Sequence, residues 1–139
     1  CKSFTERLTA EGFEVTVYEP EGFEVMDDTV ENFRHKYDLI MYVGNIETAS
    51  NKTVARLSWH TMFGLGNNMP WMVHEMPVMF ISVGNPYHLL DAPMVKTYIN
   101  GYCNSEYVIR AVVDKILGRS PFKGQSPVDA FCGRIDLKL

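Results

Sequence analysis

Leu39-Ile40-Met41-Tyr42-Val43-Gly44 is an unbroken apolar run closed by a glycine. An apolar run of that length suits a strand covered on both faces, as in a parallel sheet held between helix layers. Val78-Met79-Phe80-Ile81-Ser82-Val83-Gly84 repeats the pattern, and Thr97-Tyr98-Ile99 is a third, shorter strand core. Working outward, the intervening stretches carry helical signals. Phe4 and Leu8 fall at helical spacing before Gly12, and Asp28 with Glu31 makes a capping-box spacing for a short helix through Tyr37. A further helix is expected around Lys52 to Trp59, and Pro70 can open a short one ended by Pro77. Ser105 is placed to cap a helix whose stripe is Val108, Ile109, Val112, Val113 and Ile116, with Gly118 at its end. Phe13, Val15 and Val17 alternate and are expected to form another strand.

Strands alternating with helices predict an α/β fold: a three-layer α/β/α sandwich with a mostly parallel sheet, flavodoxin-like in the loose sense. Such domains normally begin with a strand, whereas this chain opens on a helix. Either its first strand belongs to a longer polypeptide or the sheet is built without it. The size fits one domain over residues 1–139, with 46% apolar and 22% charged residues, close to the globular average. A net charge of −4 gives no basic field to attract phosphate backbones, which argues against nucleic-acid binding. No apolar run is long enough for a membrane-spanning helix. Cys1, Cys103 and Cys132 are odd in number and widely spaced, so they read as inert thiols rather than a disulfide framework or a metal pair.

The motifs of common chemistries are each broken at a required position. Gly64-Leu65-Gly66 would need glycine at 69 to bind a dinucleotide, and Met69 stands there. Ser82 lacks the glycine two residues before it that a nucleophile elbow requires, so a buried, hydrogen-bonded hydroxyl is expected. His74-Glu75 would need a second histidine at 78 for a zinc-protease helix, and Val78 occupies it. His35, His60, His74 and His88 show no ligand spacing, so neither a metal nor another cofactor is expected. Met62, Met69, Met72, Met76 and Met79 crowd one region and read as core filling. Asn51-Lys52-Thr53 matches a glycosylation sequon at the start of an expected helix.

What remains is the set of strand ends, where open parallel sheets gather their ligands. After Gly44 and Gly84 the chain turns into polar loops that offer Asn45, Glu47, Asn85, Tyr87 and His88 as groups facing a sugar or a neighbouring domain. The same residues also suit plain loop capping.

Taken together, several stretches resemble the C-terminal domain of glycoside hydrolase family 3. Tyr37 through Thr48 looks like its central strand and loop, and Ile81-Ser82-Val83-Gly84-Asn85-Pro86-Tyr87 like its strand ending in a Gly-x-Pro turn. Tyr98-Ile99-Asn100-Gly101-Tyr102, the helix from Ser105, and Gly118 through Val128 continue the match in order. The likeness runs from about Glu11 to Phe131, and Asn45-Ile46-Glu47-Thr48 and Asn85-Pro86-Tyr87-His88 look closest to the β-N-acetylhexosaminidase branch.

The resemblance implies a larger protein with an N-terminal barrel that holds the aspartate nucleophile and, in this branch, a histidine–aspartate acid/base. That protein would hydrolyse terminal β-linked N-acetylhexosamine with retention. It further implies that this chain is the non-catalytic C-terminal domain, with the barrel of the same polypeptide as partner and carbohydrate reached through it. No residue here matches a catalytic position of the family. The other reading of the residues is a free-standing flavodoxin-like module that binds a small ligand or a protein.

Overall fold

The computed structural model describes residues 2–18, 29–46, 57, 71–131 and 133. Its described elements run α1 (Lys2–Ala10), α2 (Val30–Lys36), β1 (Ile40–Gly44), a 3-10 turn (Trp71–His74), β2 (Val78–Ser82), a 3-10 helix (Pro86–Leu90), β3 (Thr97–Asn100) and α3 (Glu106–Ile116). The three strands form one parallel sheet in the order β1-β2-β3. The fold is therefore α/β, as the apolar runs predict.

Strand alternation divides the side chains between two cores. Met41, Met79, Ile81, Val43 and Ile99 face a cluster with Phe4 and Leu8 of α1 and Ile109, Val112 and Val113 of α3. Ile40, Tyr42, Val78, Phe80 and Tyr98 face the opposite way, toward Val30 and Phe33 of α2, Val73, Met76, Ala92 and Val95. Both faces of every strand are thus apolar, which explains why each reads as a continuous run rather than an alternation.

The pair of helices on the first face is pinned at both ends. Gly12, at φ +92, lets the Gly12 N–H reach the Thr9 carbonyl and the Phe13 N–H reach Leu8. Gly118, at φ +72, repeats the motif on α3 through Lys115 and Asp114. Both helices close in the same doubly bonded, left-handed cap that glycine favours. Ser3 and Arg7 hydrogen-bond Glu106 at the start of α3, and Arg119 grips Glu11 with two bonds of 2.6 and 2.5 Å beyond its end. The two helices accordingly run side by side in one direction. Both Glu11 and Glu106 are held below the usual carboxylate range by their arginine partners. Ser105 caps α3 by accepting the Val108 N–H at 3.4 Å. Ser105→Ala should lower unfolding stability by about 1 kcal/mol, read from urea denaturation, because that N–H would then lack its side-chain acceptor.

Three sequence expectations change. Residues 13–18 form no strand, and Phe13, Val17 and Tyr18 are about half exposed. Only Val15 packs against the first core, while the Tyr18 ring meets Phe33 edge-on at 6.0 Å. The capping residue of α2 is Thr29, one place beyond Asp28, accepting the Asn32 N–H at 3.2 Å. The loop after β2 contains a 3-10 helix, because Asn85 caps it and Pro86 presets its first turn. The expected helix around Lys52 to Trp59, the sequon at Asn51, the glycine pair at 64 and 66, Asp28, His60, Met62, Met69, Cys1 and Cys132 lie outside the described residues. Ser82 is fully buried and donates to the Asn85 carbonyl at 2.5 Å, as expected of a structural hydroxyl. Cys103 is an exposed free thiol.

Candidate functional site

At the carboxyl ends of the strands, the register sets two rows of side chains across the second face. Tyr42, Phe80 and Tyr98 lie opposite one another, their rings near parallel with centroids 6.4 and 5.4 Å apart. One step further along stand Gly44, Ser82 and Asn100. The small first member of that row matters. A Cβ on Gly44 would come within 2.9 Å of the Phe80 ring and 3.5 Å of the His88 ring, so only glycine lets these two close over the strand end.

The 3-10 helix Pro86–Leu90 lies over this row. Its cap is Asn85, buried, whose Oδ1 accepts the Tyr87 N–H at 2.8 Å. The Tyr98 hydroxyl donates to the Pro86 carbonyl at 3.4 Å, and burial pushes its pKa up to about 12. His88 is wholly buried against Phe80, with ring centroids 6.1 Å apart. Neither ring nitrogen has a well-formed hydrogen bond among the described residues. Burial therefore pulls the His88 pKa below its ordinary 6.5, against smaller opposing effects of Asp91 and the Ile46 backbone. Asp91, at the end of the same 3-10 helix, accepts the Leu57 N–H at 3.0 Å.

The five sequence candidates therefore divide. Asn45 is exposed and accepts a bond from Asn104 Nδ2 at 3.3 Å, joining the loops that follow β1 and β3. Tyr87 is 39% exposed and faces outward. Asn85 and His88 point inward and hold the loop together, while Glu47 lies outside the described residues. The third strand end, Tyr102 through Ser105, adds two groups that are not among the five candidates, Tyr102 and Asn104. Tyr102 is the one non-glycine residue with positive φ among the described residues, at +59. A tyrosine held in that sparsely populated conformation is strained and marks a turn fixed by its surroundings. Its hydroxyl donates to Ser126 Oγ at 3.0 Å, and Ser126 donates to the Val128 carbonyl at 2.7 Å.

Chemically, the exposed edge is amide and phenol: Asn45, Tyr87, Tyr102 and Asn104. Neutral donors and acceptors beside aromatic rings suit a neutral hydroxylated ligand or a polar protein surface better than a phosphate. Among the described residues no group of acidic, histidine or cysteine side chains could hold a metal ion. No helix among them is long and apolar enough to cross a membrane.

No protein-family model matches the chain. Across 99% of its length it is 41% identical to a β-N-acetylglucosaminidase/β-glucosidase of Cellulomonas fimi. It covers 24% of that protein. Among solved structures it resembles the β-glucoside phosphorylase BglX, with a TM-score of 0.82 and 40% identity over 99% of this chain and 24% of that one. The same phosphorylase bound to 2FGlc gives a TM-score of 0.79 and 40% identity over 95% of this chain and 23% of that one. The chain thus spans about a quarter of the length of the proteins it matches.

Proposed function

We propose that this chain is the non-catalytic C-terminal α/β domain of a larger family 3 glycoside hydrolase. That enzyme removes terminal β-linked N-acetylhexosamine with retention, using a nucleophile and an acid/base on its barrel. The observation that carries this reading is 41% identity along essentially the whole chain to 24% of a β-N-acetylglucosaminidase/β-glucosidase. A likeness that strong, confined to a quarter of the relative, is what an accessory domain of a longer polypeptide would give. The strand-end loops then face the barrel, with Asn45, Glu47 and Tyr87 toward the shared cleft and Asn85 and His88 bracing the loop behind them.

A second reading concerns the acceptor. The solved relatives are named as a β-glucoside phosphorylase, which favours inorganic phosphate in place of water as the group that takes the sugar. In that case the product is a sugar 1-phosphate instead of the free sugar. Assaying the complete enzyme with chromogenic β-N-acetylglucosaminide and β-glucoside, with and without phosphate, decides between them. The complete enzyme is expected to release the chromophore from the N-acetylglucosaminide, and the 139-residue chain alone to release none. A clear preference for the glucoside would remove the hexosaminidase assignment. Turnover by the isolated chain would remove the non-catalytic one.

A further inference from the structure

Tyr102 holds a backbone conformation, φ +59, that glycine would take without steric cost. The turn that contains it is fixed from both sides. Gly101 donates its N–H to the Ser82 carbonyl at 2.7 Å and lies so close to Val108 that an added Cβ would come within 2.9 Å of it. On the other side, Ser105 is committed to capping α3. Backbone requirements alone would favour glycine at position 102, so the tyrosine there is explained by what its side chain does.

That side chain reaches the segment that leaves α3. Residues 121–126 belong to neither helix nor strand, and residues 121–127 are exposed. Side chains hold them at both ends. Near the end of α3, Lys115 Nζ donates to the Pro121 carbonyl at 2.7 Å and lies over the Phe122 ring, 5.3 Å from its centroid. Before the start of α3, the Tyr102 hydroxyl donates to Ser126 Oγ at 3.0 Å, and Ser126 donates on to the Val128 carbonyl. The 11 residues of α3 rise about 16 Å, and the chain from Pro121 to Ser126 spans about 17 Å when drawn out. The segment therefore runs back along the helix with little slack. Asn104 of the same turn bonds Asn45, so one turn ties both the loop after β1 and the returning segment to the same end of the sheet.

We propose that Tyr102 is the latch of a strap. Its hydroxyl pins residues 121–128 along α3 and brings Ser126, Pro127 and Val128 to the strand-end surface, and the turn bears its strain in order to present that hydroxyl. The surface is then built from three parts of the chain: the loop after β1, the turn after β3 and this strap. The latch is one neutral hydrogen bond at an exposed site, so it opens without unfolding the sheet.

Limited trypsin digestion of the full-length protein, with cleavage between Lys123 and Gly124 followed by mass, tests this. The protease needs the strap to lift, so cleavage tracks the open population. Tyr102→Phe and Ser126→Ala should each speed cleavage at Lys123 roughly 5-fold, the effect of losing one ordinary hydrogen bond. The double variant should be no faster than Ser126→Ala alone. Tyr102→Gly, which relieves the turn, should be cleaved at least as fast, with no fall in the thermal midpoint. Tyr107→Phe removes a phenol hydroxyl exposed on the same helix and should be cleaved at the wild-type rate. Wild-type cleavage of Tyr102→Phe, or additive effects in the double variant, would overturn the proposal. Faster cleavage at every site together with a lower thermal midpoint would overturn it equally, by assigning Tyr102 to the stability of the whole fold.

Discussion

Phe80→Ala is expected to remove about 3–5 kcal/mol from the unfolding free energy, the usual cost of truncating a buried phenylalanine. The ring is 2% exposed and stands between Tyr42 and Tyr98 in the row that crosses all three strands. It also supports His88 and fills the space that Gly44 leaves open. Its loss would leave a cavity lined by two tyrosine rings and a histidine, none of which can collapse without moving a strand or the 3-10 helix. Domains of this size hold about 5–15 kcal/mol in total, so the variant would sit near the limit of folding. Urea denaturation measures the change directly, and Phe80→Leu, which keeps part of the volume, should cost less. A loss below about 1 kcal/mol for the alanine variant would contradict the packing described.

What was legible in the sequence, and what was not, separates along the range of the interactions involved. The cap at Ser105, the stripe from Val108 to Ile116 and the stop at Gly118 lie within one stretch of chain, and α3 formed as they predict. The three apolar runs became the three strands because strands covered on both sides need no alternation. Phe13 to Tyr18 failed for the converse reason. Its alternation is a real strand signal, but a strand exists only through pairing, and pairing is set by residues distant in sequence. The candidate loops show the same division. Asn85 followed by Pro86 is a helix-start signal, and the 3-10 helix begins there. His88 reads as a loop residue because it follows the Asn85-Pro86 turn that leaves the strand. It is buried because Gly44, 44 residues earlier in the chain, leaves room for its ring, which no local pattern records.

That burial makes the stability of the domain pH-dependent in a defined window. In the unfolded chain His88 titrates near 6.5, whereas in the fold burial holds its pKa lower. Between those two values the unfolded state binds a proton that the folded state refuses, so stability falls as the pH drops below 6.5. Above 6.5 both states carry the neutral ring and this contribution is flat. The groups facing the imidazole do not reverse the sign. The Asp91 carboxylate and the Ile46 backbone favour the charged ring but are outweighed by burial. Tyr42 and Tyr98, in the adjoining aromatic row, have phenols raised above 10 and stay neutral throughout. Glu11 and Glu106 are lowered from 4.5 by their arginine partners, so their ion pairs weaken only below that value and outside the window. Thermal melts between pH 5 and 7.5 should show a decline below 6.5 that is shallower or absent in His88→Leu. The variant is expected to keep its stability at pH 7.5 to within about 1 kcal/mol, since it exchanges two buried nitrogens that lack a well-formed hydrogen bond among the described residues for an apolar side chain of similar size. Parallel decline of the two proteins from pH 6.5 to 5 would show that the imidazole is reached by water or paired in solution, and that the loop after β2 is not closed over it.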